Sequence, residues 1–379
     1  MISKPASKCP RVMVLGLRGF PNVQGGIETH AENLYPLLAD QGFDIEVIVR
    51  SSYMPPVLQE HPSGIKFKRL WSPRSRGLEA IVHTFLGILY AGWRRPDVLH
   101  IHSIGPALLS PFARLLGLRV VMTHHGQDYQ REKWGAFARG VLRLGEYAGV
   151  RFANGRIAVS QAIADAVEDR YRSSCVVIRN GVKTPDIPRT TTTLKALNLQ
   201  PGAYVLMVGR LVPEKRHLDL IEAFRRAALP GWKLVLVGGA DHPDDFTCRL
   251  EQVVKDTPDT LAAGVRTGGA LGELYANAGL FVLPSSHEGL PIVLLEAMSF
   301  GLSCLASDIP PNREVGLPDD CYFPVGDVAG LAAKLTERST VIPTSAHREA
   351  LRQSLQSRFD WRSKAEQTAT VFRAAMRVE

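Results

Sequence analysis

Short apolar runs recur along the whole chain, and longer segments with helical spacing separate them. In the first half the runs lie at 11–17, 44–50, 97–103, 119–126 and 156–160. In the second half they lie at 204–209, 233–239, 280–285 and 303–307. Apolar strands that alternate with helices are typical of parallel sheets covered on both faces. The pattern predicts an α/β protein with a doubly wound sheet in each half.

The length of the chain also favours two domains, because 379 residues exceed what one hydrophobic core usually supports. The best candidate for a linker is the Pro- and Thr-rich segment 180–203. We therefore expect a first domain over 1–185 and a second over 186–359. Ligands of such sheets bind beyond the carboxyl ends of the strands, so the loops there are where a site is expected.

Five scattered cysteines include no C-x-x-C pair. That argues against a disulfide framework and a zinc site, and it favours a cytoplasmic location. The opening "MISKPASKCPRVMVLGL" lacks the apolar stretch of a secretory signal. The longest apolar run, 80–93, contains a histidine and is too short to span a bilayer.

Positive charge is concentrated in the first half. Residues 1–185 hold 24 Lys and Arg against 14 Asp and Glu, a net of +10, and the remainder holds 21 against 23, a net of −2. This asymmetry indicates an anionic partner: nucleic acid, an acidic membrane surface or a phosphorylated substrate. A solvated basic surface fits the composition equally well.

A glycine-rich loop, "GLRGFPNVQGGIETH" (16–30), follows the first predicted strand. Its glycines let backbone N–H groups approach an anion, and a helix beginning near Ile27 would direct its positive end there. The loop lacks the G-x-G-x-x-G spacing of a nicotinamide cofactor site. It predicts a flexible phosphate or acceptor loop, with a long strand-to-helix turn as the alternative.

Polar side chains also follow a later strand, in "THHGQDYQREKW" (123–134). His124, His125 and Asp128 lie at its carboxyl end, where site residues of such sheets are found. Asp128 is three residues from His125 and is placed to orient its ring. Each histidine alone fits a structural role equally well, but the cluster favours function. No further His or Cys stands at ligand spacing, so a zinc site is disfavoured.

Two cations follow the first strand of the second half, in "VGRLVPEKR" (208–216). Arg210 offers bidentate contacts and Lys215 a point charge, and together they are suited to neutralise a diphosphate. A solvated basic turn is the alternative.

The stretch "HEGLPIVLLEAMSFG" (287–301) places two carboxylates around an apolar helix. Pro291 suits the first helical position, and the N–H groups from Gly289 onward would point at an anion. Glu288 would lie at that ligand, and Glu296 would accept from neutral hydroxyls such as a ribose diol. No D-x-D occurs in the chain. We therefore predict that cations and helix ends, rather than a metal, neutralise the phosphates.

Together these motifs resemble glycosyltransferase family 4, whose members are retaining enzymes with the GT-B fold. The paired glutamates, Arg210 with Lys215, "HGQD" (125–128) and Gly25–Gly26 occur in the family's order over roughly residues 11–315. The patterns "GLRGFPNVQGGIETHAENL" and "GQDYQREKWG" are similar to a bacterial subgroup that builds cell-surface polysaccharides, often labelled rhamnosyltransferase-like.

The resemblance implies donor-binding roles in the second half. Arg210 and Lys215 would bind the diphosphate and stabilise the leaving phosphate. Glu288 would contact the donor sugar and Glu296 the ribose. The backbone that would hold phosphate and sugar is that of Gly209, Gly289, Leu290 and Pro291.

In the first half the resemblance implies that His125 lies beside the donor sugar, with Asp128 supporting it. Gly25 and Gly26 would close over the diphosphate, and Glu28 would face the acceptor. The catalytic set is then His125, Asp128, Arg210, Lys215 and Glu288. The last helix, about 360–379, would pack back onto the first domain.

The implied function is retaining, metal-independent transfer of a hexose from a nucleotide sugar to a saccharide or a polyprenyl-diphosphate-linked acceptor, without a cofactor or nucleic acid. Front-face transfer is favoured, in which the leaving phosphate helps to take the acceptor's proton. An epimerase, a phosphorylase and a non-catalytic nucleotide-sugar-binding protein are the alternatives.

A membrane surface is a further expected partner, because such acceptors are often lipid-linked. Arg74, Arg76, Arg94 and Arg95 flank the run 80–93, a composition typical of an interfacial helix on the cytoplasmic membrane face. A core helix with basic ends is the alternative for this segment.

Overall fold

The computed structural model describes residues 9–54, 60–73, 75, 78–130, 134–188, 190–241, 243–341 and 344–377. The first half forms a seven-stranded parallel sheet in the order β3-β2-β1-β4-β5-β6-β7. Its strands are β1 (Arg11–Leu15), β2 (Asp44–Arg50), β3 (Lys66–Leu70), β4 (Val98–His102), β5 (Val120–His124), β6 (Gly155–Ala158) and β7 (Val176–Val177).

The second half forms a six-stranded parallel sheet in the order β10-β9-β8-β11-β12-β13. Its strands are β8 (Tyr204–Val208), β9 (Lys233–Val237), β10 (Thr260–Gly264), β11 (Leu280–Leu283), β12 (Cys304–Ser307) and β13 (Tyr322–Phe323). The predicted α/β architecture, with one doubly wound parallel sheet in each half, is confirmed.

Helices connect the strands and cover the sheets. Those of the first half are α1 (Gly26–Asp40), α2 (Leu78–Arg94), α3 (Ile104–Ala107), α4 (Ser110–Leu115), α5 (Ala136–Phe152) and α6 (Gln161–Tyr171). The others are α7 (Thr192–Ala196), α8 (His217–Ala227), α9 (Asp245–Asp256), α10 (Gly268–Asn277), α11 (Ile292–Ser299), α12 (Pro310–Arg313), α13 (Val328–Ser339), α14 (Ser345–Phe359) and α15 (Trp361–Arg377).

Strand order places the candidate loops together. In each sheet the chain builds outward from a first strand, β1 or β8, and then returns to that strand's other side with β4 or β11. A crevice opens beyond the carboxyl ends of the strands at such a reversal point. The glycine-rich loop follows β1, the Arg210–Lys215 loop follows β8, and the Glu288 loop follows β11.

The last helix, α15, returns to the first half. Trp361 and Phe372 are buried there among side chains of β1, β2 and α1. Conversely, α6 contributes Ile163 and Val167 to a core that also holds residues of β8 and α11. Packed helices therefore join the two halves.

Candidate active site

The two halves meet closely where the β5 and β11 loops face each other. A Cβ built on Gly289 would lie 2.0 Å from the carbonyl oxygen of His125. Only glycine permits that approach. The His125 loop and the Glu288 loop are thus brought together as the two sides of one site.

Lys215 and Glu288 form an ion pair, with Nζ 2.6 Å from Oε1. Lys215 ends a 3-10 turn, Pro213–Lys215, after β8. A backbone hydrogen bond from Ser286 to the Glu214 carbonyl joins that turn to the β11 loop. The two side chains are only 15% and 11% exposed, so each charge depends on its partner. An anionic ligand at Lys215 would compete with Glu288.

A second set of charges crosses between the halves. Arg18, just after β1, lies 2.5 Å from Asp241 (Nη1 to Oδ1), and Arg210 lies 3.6 Å from the other oxygen of Asp241. Beside them, the Gly239 N–H donates to Gln24 Oε1 at 3.2 Å. Arg210 thus lies next to a second arginine that the sequence analysis did not select. The signal that could have revealed Arg18 is its position directly beyond a central strand.

Glu28 lies beneath Arg18. Its carboxylate accepts from the Arg18 backbone N–H, Nε and Nη2, each at 3.1 Å, and the residue is 4% exposed. Burial raises the pKa of Glu28, but the adjacent guanidinium outweighs burial and holds the pKa below its usual value. The described contacts of the Glu28 carboxylate orient Arg18, and its role towards an acceptor stays a prediction.

Gly25 and Gly26 occupy the start of α1. Gly25 has a φ of 151°, and a Cβ there would lie 2.1 Å from Glu28 Oε2 and 2.4 Å from Arg18 Nη2. Glycine is therefore required at 25 for the Arg18–Glu28 pair to form beneath the loop. Gly26 opens the helix with free space around it. Helix α1 begins two residues after Gln24, which accepts the hydrogen bond from Gly239 of the second half.

The two adjacent histidines after β5 have different environments. His124 is buried, and its Nε2 lies 2.9 Å from Glu146 Oε1. His125 Nε2 instead shares a 2.7 Å hydrogen bond with His102 Nδ1, at the end of β4. The pKa of His125 is well below its usual value because of burial and neighbouring imidazoles, so the ring is neutral. Asp128 begins the next turn, and its support of His125 stays a prediction.

Three imidazoles, those of His30, His102 and His125, offer nitrogen atoms within 4.8 Å of one another. His102 and His125 already share the 2.7 Å hydrogen bond. Nitrogens on one tetrahedral zinc ion lie roughly 3.3 Å apart, given Zn–N distances of about 2.0–2.1 Å. The spacing fits a hydrogen-bonded imidazole cluster better than a set of ligands to one zinc.

Glu296 lies on α11, which begins at Ile292 with Pro291 as its N-cap residue. The helix thus starts one residue later than predicted. Glu296 accepts from the Tyr275 hydroxyl at 3.1 Å, and burial raises its pKa to about 7. Leu290, in the loop, accepts through its carbonyl from Asn180 Nδ2 at 2.9 Å. A cavity of about 210 Å³ adjoins Glu296 and is lined also by Asn33 of α1 and Trp361 of α15.

The structure thus brings most of the predicted site residues to one cleft. Lys215, Glu288 and Arg210 come from the second half, and His125 and Gly25 come from the first. Arg18, Asp241 and His102 are additional members that were missed.

Both halves of the chain are similar to known proteins. Residues 24–185 match the family described as Glycosyltransferase Family 4, and residues 191–339 match Glycosyl transferases group 1. An alpha-maltose-1-phosphate synthase of Mycobacterium tuberculosis is 30% identical over 304 residues, 73% of this chain and 78% of that protein. A UDP-Gal:alpha-D-GlcNAc-diphosphoundecaprenol alpha-1,3-galactosyltransferase of Escherichia coli is 29% identical over 233 residues, 57% of this chain and 59% of that protein.

Among solved structures, Anabaena HepE in complex with UDP and glucose has a TM-score of 0.77, with 18% identity over 96% of this chain and 100% of that chain. The likeness extends over both sheets. It agrees with the fold and with the resemblance drawn from the motifs, both of which are confirmed. The chain is an enzyme that belongs to glycosyltransferase family 4 and has the GT-B fold.

Proposed function

We propose that the enzyme transfers a hexose, with retention of configuration and without a metal ion, from a nucleoside-diphosphate sugar to a saccharide or lipid-diphosphate-linked acceptor in cell-surface polysaccharide synthesis. The observation that carries the proposal is the Lys215–Glu288 pair, 2.6 Å apart and facing the His125 loop. A cation for the leaving phosphate and a carboxylate for sugar hydroxyls are adjacent there.

The donor diphosphate would bind between Arg210 and Lys215, with the start of α11 beside it. Glu288, displaced from Lys215, would accept from hydroxyls of the sugar. Glu296 would accept from the ribose. Gly289 lets the Glu288 loop and the His125 loop approach each other closely.

The chemical step breaks the bond between the anomeric carbon and the phosphate oxygen and forms a bond from that carbon to the acceptor oxygen on the same face. The acceptor's proton passes to the departing phosphate oxygen. Charge therefore develops on the diphosphate, where Arg210 and Lys215 are fixed in advance, and electrostatic stabilisation of the leaving group supplies the catalysis.

Candidate donors tested with saccharide and lipid-diphosphate acceptors provide the experiment. We expect transfer or slow donor hydrolysis, an anomeric product of unchanged configuration by NMR, and full activity in EDTA. An inverted product would contradict retention, and loss of activity in EDTA would contradict metal independence. Interconversion of the free nucleotide sugar would indicate an epimerase, and binding without turnover a non-catalytic protein.

The acceptor class is supported by the relative from Escherichia coli, whose name specifies a diphosphoundecaprenol-linked substrate. A lipid-linked acceptor calls for contact with a membrane surface. No helix in the described part of the chain is long and apolar enough to cross a membrane. We therefore propose peripheral contact through the basic first half.

The surface of α2 supports this contact. One face is buried, and the other exposes Phe85, Leu89 and Trp93 at four-residue spacing, with Trp93 76% exposed. Arg94 ends the helix and Arg95 follows it, whereas Arg74 and Arg76 lie outside the described residues. An exposed apolar stripe ending in cations is typical of an interfacial helix.

Sedimentation with vesicles tests the membrane contact. We expect the protein to sediment with vesicles that contain anionic lipid, and Trp93→Ala to weaken that binding severalfold while hydrolysis of the free donor is retained. Equal sedimentation of both proteins would contradict a role for α2.

A further inference from the structure

A chain of hydrogen bonds crosses the interior of the first half and ends at His125. Thr123 Oγ1 lies 2.7 Å from His100 Nε2, and His100 Nδ1 lies 2.8 Å from the Tyr35 hydroxyl. The same hydroxyl lies 2.5 Å from His102 Nε2, and His102 Nδ1 lies 2.7 Å from His125 Nε2. All members except His125 are at most 1% exposed.

Each imidazole in the chain is neutral. Burial lowers the pKa of His100 to about 3 and places the pKa values of His102 and His125 well below the usual value. A neutral imidazole has one N–H and one lone pair. A proton on one nitrogen therefore means that the other nitrogen accepts, and the whole chain must run in a single direction.

Thr123 decides that direction. Among the described residues, the only hydrogen-bond partner of its hydroxyl is His100. If His100 Nε2 donated to the hydroxyl, the hydroxyl proton would be buried without an acceptor, which costs about 1–3 kcal/mol. Donation from Thr123 to His100 leaves no buried proton without an acceptor.

The remaining protons follow from that first bond. His100 Nε2 accepts, so Nδ1–H donates to the Tyr35 oxygen, and the Tyr35 hydroxyl then donates to His102 Nε2. His102 Nδ1–H in turn donates to His125 Nε2. The proton of His125 is therefore on Nδ1, the nitrogen left for a ligand.

We propose that Thr123, His100, Tyr35 and His102 are positioning residues that hold His125 as its Nδ1–H tautomer, so that His125 presents a neutral hydrogen-bond donor to the donor sugar. This inference rests on the proposed function, because it places the sugar beside His125. A neutral N–H donor can bind a sugar oxygen, but it cannot take the acceptor's proton through that nitrogen. The chain thus agrees with proton transfer to the leaving phosphate.

Thr123→Val tests the proposal, because valine keeps the shape of threonine and removes the hydroxyl. Without that hydroxyl, either direction leaves His100 Nε2 unpaired, as a lone pair in one and as an N–H in the other, so the preference for the Nδ1–H form of His125 narrows. We expect nitrogen-15 NMR of the imidazoles to show the Nδ1–H form of His125 in the native enzyme and a smaller population of that form in the variant. We expect kcat to fall about three- to tenfold, the equivalent of one hydrogen bond. Thr123→Ser restores a hydroxyl and should restore both the tautomer and kcat.

Tyr35→Phe interrupts the chain at its centre and should have the same two effects. Tyr204→Phe is its matched control, because the Tyr204 hydroxyl is equally buried and donates at 2.6 Å to the Leu274 carbonyl, away from the cleft. Tyr204→Phe should change stability without changing the tautomer of His125 or kcat.

Two outcomes would overturn the inference: an unchanged Nδ1–H signal in Thr123→Val, or stoichiometric zinc in the purified enzyme that is lost on His102→Ala. His125→Ala separates this inference from the proposed function. Full transferase activity in His125→Ala would contradict the site itself. Loss of activity there, combined with native behaviour of Thr123→Val, would contradict only the positioning chain.

Discussion

Lys215 is the residue whose charge the proposed mechanism needs most directly. Its ammonium group lies at the carboxyl end of a central strand and is paired with Glu288 at 2.6 Å. We expect Lys215→Ala to lower kcat at least about tenfold, because the leaving diphosphate loses a fixed cation. Lys255→Ala, an exposed change on α9, is the control and should leave kcat unchanged. Full activity of Lys215→Ala would contradict the assignment of Lys215 to the phosphates.

Glu296 should make nucleotide binding depend on pH. Its pKa is raised to about 7 because it is buried with only the Tyr275 hydroxyl as a described hydrogen-bond partner. The carboxylate, the better acceptor for ribose hydroxyls, forms as pH rises through 7. We expect the affinity for the nucleoside diphosphate to rise several-fold between pH 6 and pH 8 by calorimetry. Glu296→Gln should bind with little pH dependence, and an equal rise in that variant would exclude Glu296 as the titrating group.

The raised pKa of Glu296 also predicts how the stability of the protein changes with pH. Between the unfolded and the folded pKa, a carboxyl whose pKa is higher in the folded protein keeps a proton there that the unfolded chain has lost. Its contribution to the free energy of unfolding is therefore full below the unfolded pKa of about 4.3. That contribution is lost as pH rises through about 7. We therefore expect the Tm of the native enzyme, relative to that of Glu296→Gln, to fall between pH 5 and pH 7.5. A constant difference would show that Glu296 titrates normally.

Which residues could be predicted from the sequence depended on what fixes their position. Arg210, Lys215 and Glu288 follow apolar strands directly, so strand topology alone places them at the cleft. Arg18 also follows a strand, but its role depends on Asp241, which is more than two hundred positions away. Tyr35 and His102 were missed because helix α1 must first pack on β4 for them to meet. Contacts between residues of separate elements leave no pattern in a short stretch of sequence.

At the scale of elements, apolar runs predicted the central strands and failed at the edges. The strand β3 has the sequence "KFKRL" and is partly exposed along its length, so its charged residues concealed it. Edge strands tolerate charge because one side faces solvent. The segment 106–117 carries helix-like spacing, but the structure divides it between α3 and α4. Pro111 explains the break, since it lacks an N–H and suits the first turn of a new helix.

The start of α6 offers a prediction at this scale. The Glu314 carboxylate of the second half accepts from the backbone N–H groups of Gln161 and Ala162 at 2.9 and 2.8 Å, and from Arg179 Nε at 3.0 Å. A carboxylate at a helix N-terminus satisfies free N–H groups and the helix dipole. We expect Glu314→Ala to lower the free energy of unfolding by about 1–2 kcal/mol, measured by urea denaturation. Glu314→Gln keeps an acceptor and should lose less, whereas equal losses would exclude the charge as the cause.

At the scale of the whole molecule, both apolar and charged contacts couple the two halves. Helix α6 packs into the second core, α15 packs into the first, and Arg18 pairs with Asp241 across the cleft. The first two are apolar and buried, whereas the Asp241 side chain is 26% exposed and remains in contact with solvent. The helices hold the halves together, and the charges at the cleft remain exchangeable with those of a ligand.

Helix α15 follows the second half in the chain but packs in the core of the first half. A buried residue of α15 should therefore contribute to the stability of the first half. Phe372 is fully buried, with its ring centroid 5.9 Å from that of Phe43. We expect Phe372→Ala to cost about 3–5 kcal/mol through lost burial and a residual cavity. Hydrogen exchange should show the loss in β1, β2 and β4 rather than in β8–β12. Phe137→Ala, at a residue 87% exposed, removes the same side chain from the surface and should cost less than about 0.5 kcal/mol. Faster exchange in β8–β12 alone would contradict the assignment of α15 to the first core.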